Sequence, residues 1–264
     1  MECMDSLLGG GPVSLVWPVV LYEDERLLAV DKPAGMVIHP AYRHPDGTLA
    51  DAVFARQAAR GEERPWLLHR LDRDTSGVVL FAKSVEARRA LVRQFERRTV
   101  GKWYVALLAE GPAEDEGMIE AQLARDPSDR RRVIVTPDGQ PAATRFRLLA
   151  RRAGAALVLV EPLTGRTHQI RAHMASIGAP LIGDALYGGE PVGTTSHGWC
   201  AAVMSASVDW DAAQRVMLHA WRLVFRYPTT GEPLTVTAPL PADLVAVATA
   251  LGLAGGFDDL RGSA

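Results

Sequence analysis

The alternation of apolar and polar positions along the chain marks short strands and three helices, without a regular strand–helix rhythm. Residues 27–33 (LLAVDKP) and 35–40 (GMVIHP) each read as a short strand stopped by a proline, which has no N–H to give a ladder. Residues 48–59 suit a helix with Leu49, Val53 and Phe54 on one side. Residues 78–82 (VVLFA) read as a buried strand, and Ser84 then fits an N-cap, with Glu86 in the first turn of a helix running to about Arg98. From residue 102 to 108 the chain is strand-like again, with Lys102, Tyr104, Ala106 and Leu108 on one face. Residues 131–135 (RRVIV) and 143–150 (ATRFRLLA) read as strands around the turn signal Pro137-Asp138-Gly139. Residues 156–163 (ALVLVEPL) form a central strand, and 168–178 (HQIRAHMASIG) a helix closed by Gly178. Residues 216–228 and 234–239 pair as a hairpin across 229–232. This mixture predicts an α+β fold around a mostly antiparallel or mixed sheet.

The length, 264 residues, allows one large domain or two modest ones, and no Pro-, Gly- or Ser-rich linker demands two. No run of 18 apolar residues is present, so no membrane partner is expected. Residues 1–16 read as a flexible leader without the basic start or cleavage site of a secretory signal. Two cysteines, Cys3 and Cys200, neither build a disulfide framework nor have zinc spacing, which predicts a reduced, cytoplasmic protein.

A net charge of −2 argues at first against nucleic acid, but the average hides a segregation. Residues 83–102 carry seven Lys or Arg against two Glu, while acidic residues collect in 110–120 and 23–25. Arg89, Arg93 and Arg97, spaced four apart, form a stripe that is either a solvated helix side or a grip on phosphates.

Three segments carry candidate chemistry. In residues 67–84 (LLHRLDRDTSGVVLFAKS), Asp72 stands between arginines at the mouth of a buried strand. A charge there is costly unless paired or used. It belongs either to a polar turn, with Gly77 supplying positive φ, or to a nucleophile held by its neighbours. Residues 163–173 (LTGRTHQIRAH) leave a strand and enter a helix, where Arg166 and Arg171 can clamp an anion or pair a carboxylate. His168 and His173 lie five apart, about 140° round a helix, with no third ligand, so no metal is expected. In residues 101–106 (GKWYVA), Tyr104 is either a half-buried strand aromatic or a surface on which an extruded base stacks. Nucleotide, dinucleotide and hydrolase-elbow motifs are absent, leaving a kit suited to chemistry without a cofactor.

These segments together resemble the RluA-type pseudouridine synthases. HRLDRDTSG is similar to that family's HRLD-x-x-TSG motif, and DKPAGMVIHP, K-x-Y-x-A, TGRTHQIRAH, PLIGDALYGG, LHAWRL and APLPAD fall in the family's order over residues 20–244. The resemblance implies a pseudouridine synthase catalytic domain over 17–245 and a C-terminal tail over 246–264. One departure is expected: some relatives carry a small RNA-binding module ahead of the catalytic domain, and the few residues before Tyr22 predict none here. The implied activity is isomerisation of uridine in ribosomal or transfer RNA by base flipping, without metal or cofactor; separately, the absence of an obvious dimerisation stripe makes a monomer the expectation. The resemblance makes Asp72 the essential carboxylate, with Arg171 as its cation and Arg166 nearer the phosphates, or the two reversed. Tyr104 would stack on the base and Arg70 would fill the space the nucleotide vacates, while Leu71, Lys102 and His168 complete the substrate site. The stripe Arg89, Arg93 and Arg97 would then hold the RNA backbone. Two other readings remain: an inactive RNA-binding assembly factor of the same fold, and a glycoside hydrolase using Asp72 and Asp74 as its pair.

Overall fold

In the computed structural model, which describes residues 17–40, 46–189 and 215–261, the strands join into one sheet of eleven. In chain order the elements are β1 (Val19–Glu23), β2 (Leu27–Lys32), α1 (Leu49–Ala59), β3 (Trp66–Leu67), β4 (Ser76–Ala82), α2 (Val85–Glu96), β5 (Gly101–Leu108) and β6 (Glu116–Arg125). Then follow β7 (Val133–Val135), β8 (Gln140–Arg152), β9 (Ala155–Pro162), α3 (Gln169–Ser176), β10 (Leu218–Arg226), β11 (Pro233–Thr237) and α4 (Ala242–Ala250). The path across the sheet is β1-β2-β4-β10-β5-β9-β8-β6-β7, with β3 beside β4 and β11 beside β10. Every pair is antiparallel except β4 with β10. This is the α+β architecture with a mixed, mostly antiparallel sheet that the residue pattern predicts.

Alternation along the central strands sorts their side chains between two faces. Val105 and Leu107 of β5 pack with Leu244 and Val247 of α4, whereas Ala106 and Leu108 pack with Ile170 and Met174 of α3. On β4, Leu80 and Ala82 meet Ala87 and Leu91 of α2, while Val79 and Phe81 meet Leu49 and Val53 of α1. Tyr104 packs against the clusters of both α1 and α3. The N-cap anticipated at Ser84 forms, and α1 has a cap at Thr48 that was not anticipated. Ser84 accepts from Ala87 N at 3.1 Å, and Thr48 and Asp51 cap each other reciprocally. Such caps contribute about 1 kcal/mol each.

Several expectations need correction. Residues 35–40 are not a strand, because the carbonyls of Val37 and Ile38 accept from Leu49 N and Ala50 N, both at 2.9 Å, in the first turn of α1. The backbone there serves a helix start instead of a ladder. Strand β6 was not anticipated, its Ile119 and Leu123 alternating inward among acidic neighbours. β7 and β8 flank the turn at 137–139 but pair with opposite sides of β6, not with each other. The boundary expected between 245 and 246 falls inside α4, and Leu251, Leu253 and Leu260 beyond it are buried in the core. The leader, residues 1–16, and both cysteines lie outside the described residues.

Candidate active site

Asp72 sits on the loop between β3 and β4, and that loop is anchored at every step. His69 Nε2 accepts from Leu80 N at 3.1 Å, which places the ring proton on Nδ1. Burial pushes its pKa down to about 4, so the ring is a neutral strut stacked on Phe95 with centroids 5.2 Å apart. Thr75 N donates to the Asp72 carbonyl at 3.2 Å, closing a turn. Two basic side chains hold the next two carbonyls. Lys32, fully buried, donates to the Arg73 carbonyl at 2.8 Å and to those of Pro33 and Met36 at 2.9 Å. Arg215 donates to the Asp74 carbonyl at 3.3 Å while Asp243 of α4 grips its guanidinium at 2.6 and 3.0 Å. Gly77 follows at φ 114°, where a Cβ would lie 2.2 Å from the Ala220 carbonyl oxygen. Only glycine lets β4 and β10 approach so closely.

The second wall is the entry to α3. Gln169 staples it: its Oε1 accepts from Thr164 Oγ1 at 2.6 Å and Arg166 N at 3.0 Å, and its Nε2 donates to the Ala143 carbonyl at 2.9 Å. His168 takes the left-handed conformation, φ 50°, at the turn into the helix. One turn on, Arg171 donates through Nε and Nη2 to both oxygens of Asp184, at 2.6 and 2.8 Å, and its Nη1 lies 3.5 Å from Asp72 Oδ2. The Tyr187 ring faces the same guanidinium at 4.9 Å. His168 Nε2 lies 3.8 Å from Asp72 Oδ2, and its Nδ1 3.0 Å from the Tyr187 hydroxyl. Burial pulls the His168 pKa down, against the pull of Asp72.

Strand β5 supplies the floor. Tyr104 pairs with Ala220 on one side and Val160 on the other. Burial, with the Asp72 charge adding to it, drives the Tyr104 hydroxyl pKa well above the phenol range, so the group is neutral. Lys102 Nζ donates to the Thr164 carbonyl at 2.9 Å, and burial and then Arg98 push its pKa down to about 8. These groups enclose a cavity of about 410 Å³, with Asp72 as the one carboxylate among its described lining residues. Such a site can hold a flat, neutral ring beside a carboxylate, with cations around the rim for phosphate.

The sequence profile of the family described as RNA pseudouridylate synthase matches residues 26–176, more than half of the chain. The chain belongs to the RNA pseudouridylate synthase family. A ribosomal large subunit pseudouridine synthase D of Xanthomonas campestris is 40% identical over 236 residues, which cover 88% of this chain and 69% of the relative. An uncharacterized RNA pseudouridine synthase of Chloroflexus aurantiacus is 45% identical over 81% of this chain and 63% of its own length. The solved human RNA pseudouridylate synthase domain containing 4 shares the fold, with a TM-score of 0.72 at 23% identity over 88% of this chain and 92% of that one. As a member of this family the protein is an isomerase that acts on RNA.

Within this pseudouridylate synthase the structure brings Arg70, Leu71, Asp72, Lys102, Tyr104, Arg166, His168 and Arg171 around the one cavity. Arg171, not Arg166, stands beside Asp72; Arg166 lies at the rim, its Nε donating to the Pro141 carbonyl at 3.3 Å. Arg89, Arg93 and Arg97 are exposed and line no part of that cavity. Helix α2 reaches it only through Phe95, and Arg98, two residues past the helix at φ 56°, joins the lining. His173 faces away, bonded to Thr144 Oγ1 at 2.9 Å, so it shares no site with His168. Sequence reasoning missed Lys32, Asp184, Tyr187, Arg98 and Arg215. For Lys32, Asp184 and Tyr187 the signal was present, since each lies in a stretch singled out only for its resemblance.

Proposed function

We propose that the protein converts uridine to pseudouridine in RNA of the large ribosomal subunit, with Asp72 as the essential carboxylate. The observation that carries this reading is the solitary Asp72 carboxylate between Arg171 and Tyr104 in a cavity rimmed by cations. The reaction breaks the N1–C1′ bond and forms a C5–C1′ bond; the hydrogen leaves C5 and N1 takes one up. Atoms and electrons balance without an oxidant, a hydrolytic water or a metal. Tyr104 offers a ring on which the detached base can stack, and Arg171 keeps Asp72 company through the charge changes at the sugar. Arg70, exposed at the lip, fills the gap in the RNA that the flipped nucleotide leaves, offsetting a flipping cost of a few kcal/mol. A paired-carboxylate hydrolase finds no support, because Asp74 does not line the cavity. The ribosomal substrate rests on the names of relatives such as the Xanthomonas protein.

The enzyme acts as a cytoplasmic monomer and needs no metal; full activity after exhaustive chelation is the expected result. The deciding experiment is tritium release from C5-labelled uridine in transcripts of large-subunit ribosomal RNA. Release by the wild type and at least a roughly 10³-fold slower single turnover by Asp72→Asn are expected. Release only from transfer RNA transcripts would move the substrate. No release from either RNA would sink the reading.

A further inference from the structure

The loop Arg166-Thr167-His168 has two sides. One walls the cavity around Asp72, and the other walls a second cavity of about 490 Å³ beneath the β6–β7 connection. The two are mechanically joined, because the Tyr187 hydroxyl accepts from Val133 N at 2.8 Å in the second wall and bonds His168 Nδ1 at 3.0 Å in the first. The connection itself is built rigidly. Buried Asp126 takes Ser128 Oγ at 2.6 Å and Arg132 Nε at 2.6 Å, while Asp129 grips Arg131 at 2.6 Å. Those pairs consume two of the arginines. Arg125 and Arg130 are left exposed with no ion pair among the described residues, and both line the second cavity. Its described lining holds five arginines against one carboxylate, Asp138.

We propose that this second cavity is the track for the single-stranded RNA flank on one side of the target uridine. The inference rests on the reading of the first cavity as the uridine site. A flipped nucleotide remains covalently tied to its neighbours, so the strand must leave the cavity. Across Arg166–His168 it meets a surface of opposite charge whose shape is set in advance. Phosphates contact Arg125 and Arg130, and the half-buried Val133 lies against a base. This path runs from the α3 side of the cavity and not along the Arg89, Arg93 and Arg97 stripe, which lines neither cavity.

The test uses end-labelled oligouridylates of three, six and nine nucleotides, with affinity read by fluorescence anisotropy across a salt series. Wild-type affinity should rise with length. The Arg125→Gln/Arg130→Gln double variant should lose that rise, with the slope of log affinity against log salt lower by about 1.4, the release expected for two single-strand phosphate contacts. Asp138→Asn should tighten binding of the longer oligomers, a gain that misfolding cannot produce. Affinity that does not grow with length, or grows equally in the double variant, overturns the track. Tritium release from ribosomal RNA is followed in parallel at saturation. Wild-type rates in the double variant with an unchanged salt slope remove the track alone, whereas no release by the wild type removes the uridine-site reading.

Discussion

Asp184 holds Arg171 in a two-point grip, at 2.6 and 2.8 Å, and leaves only Nη1 to stand 3.5 Å from Asp72. The arginine is therefore aimed by one carboxylate at another. Asp184 is 1% exposed, so it depends on Arg171 as much as it directs it. Arg171→Met should both stop isomerisation and lower stability by about 3–5 kcal/mol, since a buried charge loses its partner. Asp72→Asn should stop isomerisation at nearly wild-type stability. Chemical denaturation of the two variants separates these outcomes, and equal stability would mean that Asp184 finds other compensation.

Tyr104 belongs to the core and to the cavity at once. Tyr104→Phe keeps the packed ring and should slow the chemical step more than it weakens binding. Tyr104→Ala should also weaken RNA engagement by about 1–3 kcal/mol, the worth of a stacked base. Single-turnover rates at several RNA concentrations distinguish the two. Wild-type behaviour in both would make the residue a packing element only.

Lys102 sets a pH dependence of RNA binding. Its pKa is pushed down to about 8 by burial and Arg98, so the free protein loses this cavity cation as pH rises through about 8. Affinity for RNA should fall between about pH 7 and 9, with proton uptake on binding at the upper end of that window. Lys102→Arg should flatten the profile, because guanidinium stays charged throughout. Anisotropy titrations at fixed ionic strength make the comparison, and a profile equally flat in the wild type would refute it.

Arg215 is expected to act on the reaction from outside the cavity. It joins Asp243 of α4 to the Asp74 carbonyl, two residues past Asp72. Asp243→Asn should lower kcat by roughly tenfold, about 1.4 kcal/mol, with KM nearly unchanged. Asp243→Glu should restore part of the loss. A matched fall in kcat and in the folded fraction would mark the pair as purely structural.

The cavity's first ring of residues was legible because each stands in a short stretch with unusual local chemistry. Asp72 is set among arginines, and Arg166, His168 and Arg171 crowd a helix entrance. Residues that act through those groups were not legible. Nothing near Asp184 in the chain shows that its partner is Arg171, 13 positions earlier, and Lys32 reaches Arg73 across 41 positions. Likewise, helix periodicity placed Arg89 and Arg93 on α2 with Arg97 at its C-cap, but only the three-dimensional arrangement shows that none of the three lines the cavity. β6 is masked in the sequence by Glu116 and Glu120 and the acidic run before them, although Ile119 and Leu123 both point inward.

Strand β10 lies between β4, which follows the Asp72 loop, and β5, which carries Tyr104: His219 stands opposite Ser76, and Ala220 opposite both Gly77 and Tyr104. The two halves of the site are thus neighbours in sequence but are held apart, and held in register, by a strand made more than a hundred residues later. During synthesis, the segments bearing Asp72 and Tyr104 emerge long before anything can set the distance between them. A chain still growing on the ribosome therefore carries every chemical group of the site and no site. Because β10 is the last central strand of the described residues to be made, the spacing between the two halves is set only once it joins the sheet.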